Sequence, residues 1–345
     1  MKQLVRHVPR LLPAVASIGL LVYVLRSADL GRALALVNSL GWRLPLLLLP
    51  NLVAVLCEAA GWWISFGRLG ARPRFRGLLA VRVMVDALML GLPSGSVVSE
   101  TVQPYLLKRR CAVPTELGIV ATVARKFFVV VSHGLVLAGA TLLAWPLLAR
   151  LSRETLGRPG LPWILLGVSA FMIATFGVGL ALSGRARLAQ RSRAGLDRLG
   201  GKWLRSWLER HAQRFQRADD HLVVFFERER RALALPLLLY SVGWIVRGVE
   251  TWVFLRLLGV ETPLLTAVVL ETAIIVVRSA AVPVPAGLGV QDVGYVLCLK
   301  ALGVPDATTV GTAFVVLKRG KDLFWILVGI ALLAFGPRGG TGSPS

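Results

Sequence analysis

Ionisable residues stand inside the apolar segments of this chain, and several recur at one spacing. Glu58 and Glu250, Glu100 and Asp292, and Lys126 and Lys318 are each 192 positions apart, as are Pro93 and Pro285, and Gly95 and Gly287. The first copy reads Leu92-Pro93-Ser94-Gly95, then Glu100, Pro114 and the basic pair Arg125-Lys126. The second reads Val284-Pro285-Ala286-Gly287, then Gly289, Asp292, Pro305 and the basic pair Lys318-Arg319. A Pro-x-Gly that breaks an apolar segment at corresponding places in two halves, with ionisable residues around it, is the sequence mark of a transporter's substrate site.

A charge at mid-membrane costs between about 2.5 and 17 kcal/mol unless it is paired or faces water. Arg247 and Glu250 lie three residues apart on one helix face and can pair locally, and Arg82 and Asp86 lie four apart. Glu271 and Arg278 sit two turns apart, and Asp86 and Arg278 share the repeat offset with opposite charge. Glu58 has no local arginine and needs a partner elsewhere. The bland role for these charges is to pair across the repeat interface and hold the halves in register. Arg125, Lys126, Lys318 and Arg319 are four cations set against two nearby carboxylates, Glu100 and Asp292. That excess, with Gln103 and Gln291 beside the carboxylates, suits an anionic ligand such as a lipid phosphate. His133, alone in an apolar helix, reads as a packed core histidine, with a proton relay as the alternative.

The elements that must position these residues follow from composition. Of 345 residues, 55% are hydrophobic and the mean hydropathy is +0.69, more than a soluble domain needs to build a core. Apolar runs at 11 to 25, 44 to 66, 114 to 148, 161 to 182, 233 to 257 and 305 to 336 are long enough to span a bilayer. Two more, 78 to 94 and 264 to 286, are broken by Pro and Gly. The net charge of +22 resides mainly in loops, where Arg and Lys orient the chain and meet anionic lipid head groups; no nucleic-acid partner is expected. Cys57, Cys111 and Cys298 have no spacing for a disulfide framework or a zinc site, and no metal or cofactor is expected. The N-terminal stretch has no good cleavage site and reads as an uncleaved first helix.

Arginine places 1 to 10, 68 to 76, 108 to 110, 183 to 231 and the C-terminus on the cytoplasmic side. The stretch 78 to 92 must then enter and return from that side. Its fifteen residues reach roughly 22 Å at 1.5 Å each, short of the ~30 Å core, so it reads as a re-entrant helix broken at Pro93. The same argument brings 264 to 286 in from the opposite side, ending at Pro285. The fold expected is an all-α polytopic membrane protein of two inverted repeats, 1 to 150 and 151 to 336. Residues 184 to 231 form an amphipathic or merely basic cytoplasmic elbow, and 337 to 345 a disordered tail. Broken backbone at membrane depth is tolerated where protein or a water-filled cavity satisfies it.

The Pro-x-Gly-x4-Glu followed by "PYLLKRR" in the first half, and "PVPAGLGVQDVGYVLCLKALGVP" in the second, resemble the flippase-like transmembrane family. That family includes the membrane half of lysylphosphatidylglycerol synthases and hopanoid-associated relatives. The resemblance covers 10 to 336 and implies a bacterial inner-membrane protein, with both termini cytoplasmic, that moves a lipid between leaflets without covalent chemistry. The family's motif positions fall on Pro93, Gly95, Glu100 and Arg125, and on Pro285, Gly287, Gly289 and Asp292. The chain departs from the family pattern at Val98-Ser99, at Ala124 and in having Asp292 where Glu is usual. A membrane enzyme using Glu100 or Asp292 as base is the competing class; the one adjacent acidic pair, Asp219-Asp220, lies in the polar elbow. An accessory scaffold for lipid synthesis is the third, and the reading leaves room for a homodimer.

Overall fold

The computed structural model describes residues 29–185, 225, 230–280 and 287–335, and these residues are helical with short connections. The expected first span, nearly all of the elbow, Pro285 and the tail lie outside them. Helix α1 (Leu30–Ser39) starts where the Asp29 carboxylate accepts from Arg32 N–H at 2.9 Å. A 3-10 segment, Gly41–Leu48, runs directly into α2 (Leu49–Arg68), whose Pro50 sits in the first turn where no N–H is needed.

Helices α3 (Phe75–Gly91) and α4 (Gly95–Cys111) form a hairpin around Leu92-Pro93-Ser94, with Ser94 in the left-handed region at φ +52°. A Cβ on Gly95 would stand 2.4 Å from the Met89 carbonyl oxygen and 2.6 Å from that of Leu88. Only glycine lets the returning helix begin so close to the end of the first. Seventeen residues per arm give about 25 Å, less than the thickness of a bilayer core.

Next come α5 (Thr115–Leu143), α6 (Trp145–Leu156) and α7 (Leu161–Arg185). The apolar run expected to span 114 to 148 as one element stops at Leu143. Pro146 has no N–H to continue the ladder, and it opens the separate helix α6 instead. The second half contains α8 (Ala234–Leu257), α9 (Leu264–Ala280), α10 (Val290–Ala301) and α11 (Ala307–Phe335).

Among the described residues, three stretches are long and apolar enough to cross a membrane: Gly41–Arg68, Thr115–Leu143 and Arg231–Leu257. Helix α11 is as long as α5 but carries Lys318, Arg319, Lys321 and Asp322 at its centre. Those charges turn inward, while Leu323, Leu327 and Ile330 are exposed along the other side, as are Trp163 on α7 and Leu142 and Leu143 on α5. Apolar surface this extensive suits lipid rather than water.

Helices that share the 192-residue sequence offset pack in corresponding ways. Helices α2 and α8 run antiparallel, with Gly243 against Glu58 and Gly61 against Tyr240, where a Cβ would come within 2.9 Å of the ring. Helix α3 lies on α11 and α9 lies on α5; α4 lies on α5 and α10 lies on α11. In that last pair of contacts Gly118 faces Pro104 and Gly311 faces Val296, small residues letting each long helix approach the short one.

Candidate functional site

The charged side chains sort into two buried groups, one built on α2 and α3 and one on α9, α10 and α11, with α8 supplying a member to each. In the first, Glu58 on α2 accepts from Arg82 Nε on α3 at 3.0 Å and from Arg247 on α8 at 2.8 Å. Arg82 also pairs with Asp86 one turn on. Two guanidiniums and two carboxylates therefore neutralise one another.

Arg125 on α5 stands beside this group and is not neutralised by it. It is 7% exposed, its Nε has no hydrogen-bond partner, and among the described residues it makes no hydrogen bond or ion pair. What holds it is the face of Trp62, 5.8 Å from the guanidinium carbon. Trp62 is fixed by its own indole N–H, which donates to the Ala121 carbonyl at 3.1 Å. The charges of Arg82, Asp86 and Glu58 act on Arg125, as does Tyr240. The Tyr240 hydroxyl is itself buried without a hydrogen-bond partner, and so is Arg247 Nε.

In the second group Lys318 on α11 reaches Glu250 on α8 at 2.7 Å and Glu271 on α9 at 3.1 Å. Lys321 reaches the same Glu250 oxygen at 2.8 Å and Asp322 at 3.4 Å. Arg319 joins Asp322 at 3.7 Å to Asp292 at 2.6 Å. Asp292 at the same time accepts the Gly289 N–H at 2.9 Å through its other oxygen, so it closes the first turn of α10. The Tyr295 hydroxyl donates to Glu271 at 2.8 Å and accepts from Gln291 at 3.1 Å. Four carboxylates and three cations thus form one continuous string of contacts.

The remaining candidates are placed as follows. Lys126 pairs with Glu100 at a half-exposed position, away from both strings. Gln103 donates to the Thr122 hydroxyl at 2.9 Å. Arg247 and Glu250, one turn apart, do not pair with each other: Arg247 turns to α2 and Glu250 to α11. Glu271 likewise pairs with Lys318 and not with Arg278, whose stem packs where a Cβ on Gly287 would come within 2.4 Å. Gly287 and Gly289 both have positive φ, so the second break, like the first, demands glycine beside the preceding helix. His133 Nε2 lies 2.9 Å from the Thr272 carbonyl, to which it donates, and its ring stacks on Trp244 at 4.1 Å.

The four cations expected to act together are therefore not one group. Lys126, Lys318 and Arg319 each have a carboxylate, and Arg125 is the one whose charge is left over. Sequence reasoning missed Lys321, Asp322, Tyr240 and Tyr295. The signal for Lys321 was its helical spacing from Lys318. For Tyr295 it was the repeat offset, which equates it with Gln103.

Residues 10–330 match the family model described as the lysylphosphatidylglycerol synthase TM region. No curated protein and no solved structure gives a significant match.

Proposed function

We propose a transport function from one premise that is not itself a proposal: the chain belongs to the lysylphosphatidylglycerol synthase transmembrane-region family, and is a multi-pass membrane protein of that lipid-related family. On our reading it moves an anionic, phosphate-bearing lipid between the leaflets of a bacterial inner membrane, with no covalent step. The observation that carries this is Arg125, a buried guanidinium with donors to spare, beside the unpartnered Tyr240 hydroxyl. A buried unmet donor costs about 1 to 3 kcal/mol, more when charged. A phosphate oxygen supplies the missing acceptor and the missing negative charge together.

The antiparallel packing of α2 on α8 supports the inverted-repeat reading. A two-fold axis that exchanges two antiparallel neighbours must run across them, which for spanning helices means in the membrane plane. The short α3–α4 hairpin, closed by Pro93 and Gly95, supports the re-entrant reading. In the mechanism we infer, the head group meets Arg125 while its acyl chains stay in the bilayer, and rocking of the repeats exposes it to each leaflet in turn.

The test is flipping of a fluorescent phosphatidylglycerol in vesicles reconstituted with the full chain, comparing wild type with Arg125→Gln. Protein-dependent flipping that Arg125→Gln abolishes is expected. Undiminished flipping in that variant would remove Arg125 from the mechanism.

A further inference from the structure

The second group of charges has the opposite shortage from the first. Around Arg125 the uncancelled charge is positive and the guanidinium Nε atoms of Arg125 and Arg247 are unmet donors, with Gln103 Oε1 an unmet acceptor one turn away at Thr122. In the string from Asp292 to Glu271, carboxylates outnumber cations four to three, and the unmet carboxylate atom is an acceptor on Glu250. Glu250 is 1% exposed; both lysines go to its Oε1, and its Oε2 is buried with no donor. Gln291 Oε1 is buried with no donor as well. Glu271 collects Lys318, Tyr295 and Thr251 all on Oε2.

We propose that this string is a second ligand site, for a proton carried by Glu271, and that it couples lipid movement to a pH gradient. The purpose rests on the transport reading; the chemistry does not. A proton from one aqueous compartment adds to the Glu271 carboxylate and later leaves to the other. While it is bound, the contact string holds three carboxylates and three cations, with Arg278 a further cation outside it, and the new O–H adds a donor. Glu271 is the member to take it: Glu250 and Asp322 each touch two cations, Asp292 touches one but also closes the first turn of α10, and Glu271 touches Lys318 alone. The described residues contain no group of His, Cys, Asp and Glu placed to ligate a metal ion, so the site suits a proton better than a coordinated cation.

The groups facing Glu271 are Glu250 and Thr251 from α8, Tyr295 from α10, Lys318 from α11, His133 from α5 and, on its own helix, Arg278. Lys318 is what ties α9 to α8 and α11 through charge. Neutralising Glu271 leaves Lys318 to Glu250 and releases α9 from its ion pair with α11, while Asp292 still holds α10 to α11 through Arg319. A buried carboxylate whose proton releases an ion pair between packed helices is a coupling device of the sort pumps and transporters use.

Two measurements test this on the full chain. Infrared difference spectra on acidification should show a protonated-carboxyl band that is missing from Glu271→Gln, whether or not lipid moves. A band that persists in that variant, or none in wild type, overturns the proposal. In phosphatidylglycerol vesicles, an imposed pH gradient should change wild-type flipping severalfold and leave Glu271→Gln unresponsive. Tyr295→Phe, which removes one donor but keeps the Glu271 carboxyl, should keep the response. Wild-type flipping that ignores the gradient would end the coupling claim while sparing the transport reading. Dependence on sodium in place of pH would also overturn it. Absent flipping would instead strike the transport reading, with the infrared result still deciding the proton site.

Discussion

Helices α2 to α5 and α8 to α11 follow one another in the same order and carry opposite electrostatics. In each, a long helix bears a buried glutamate at the 192-residue offset, Glu58 turned to α3 and α8 and Glu250 to α11. Glu58 is met by arginines and leaves a further arginine, Arg125, with no carboxylate. Glu250 is met by lysines in a string where carboxylates are in excess. Matching helices thus enclose two different interiors, which on the transport and proton-site proposals serve an anion and a cation respectively. A guanidinium, always charged and rich in donors, suits the first role, and a titratable carboxylate suits the second.

The sharpest way to break this comparison is to remove one cation from each half. Lys318→Met strips the shared ammonium from Glu250 and Glu271 and should lower stability by about 3 to 5 kcal/mol, the cost of leaving buried charge uncompensated. Arg125→Met leaves no carboxylate stranded, so its unfolding midpoint in detergent should hold or rise. The same variant should weaken phosphatidylglycerol binding by about tenfold to a hundredfold, from the loss of a charged hydrogen bond. Equal destabilisation by both substitutions would mean that Arg125 has a hidden structural partner and that the halves do not differ in kind.

A smaller effect sharpens the geometric side of the comparison. A Cβ on Gly311 would lie 2.9 Å from Val296 Cγ2 and 3.2 Å from its Cα, whereas one on Gly118 would lie 3.3 Å from Pro104 Cα. Gly311→Ala should therefore cost about 1 to 3 kcal/mol of thermal stability through overpacking, and Gly118→Ala distinctly less. Should Gly118→Ala prove the more damaging, the second repeat would not be the tighter of the two.

How much of this was legible in the sequence depends on whether one helix or several decide the point. The break at Pro93 and Gly95, the inward glutamates and the pairing of Arg82 with Asp86 follow from spacing along one segment, and the structure places them as the spacing predicts. Partnership between helices does not follow. Arg247 and Glu250 have ideal spacing for a local pair, yet each finds a better one across a helix interface. Counting cations against neighbouring carboxylates grouped Lys318 with Arg125, because Glu271 lies 47 positions from Lys318 in the chain. Pro146 was visible as a residue, but hydropathy continued straight through it and hid the end of α5.

The repeat-related ion pairs near the two breaks should show the smallest difference, and they test the idea at its edge. Lys126 and Glu100 are 42% and 34% exposed in their side chains, against 22% and 3% for Arg319 and Asp292. Solvent screens the first pair, so a double-mutant cycle with Lys126→Gln and Glu100→Gln should return a coupling of at most about 1 kcal/mol that fades with added salt. Two N–H groups of Arg319 reach one Asp292 oxygen while the backbone of Gly289 holds the other. The corresponding cycle with Arg319→Gln and Asp292→Asn should therefore return the larger coupling and the weaker salt dependence. If the two cycles agreed within error, burial would not distinguish the breaks, and the second half would lose its claim to the more tightly organised network. The asymmetry is expected because Asp292 must serve two elements at once, the start of α10 and the middle of α11, while Glu100 sits inside α4 and serves Lys126 alone.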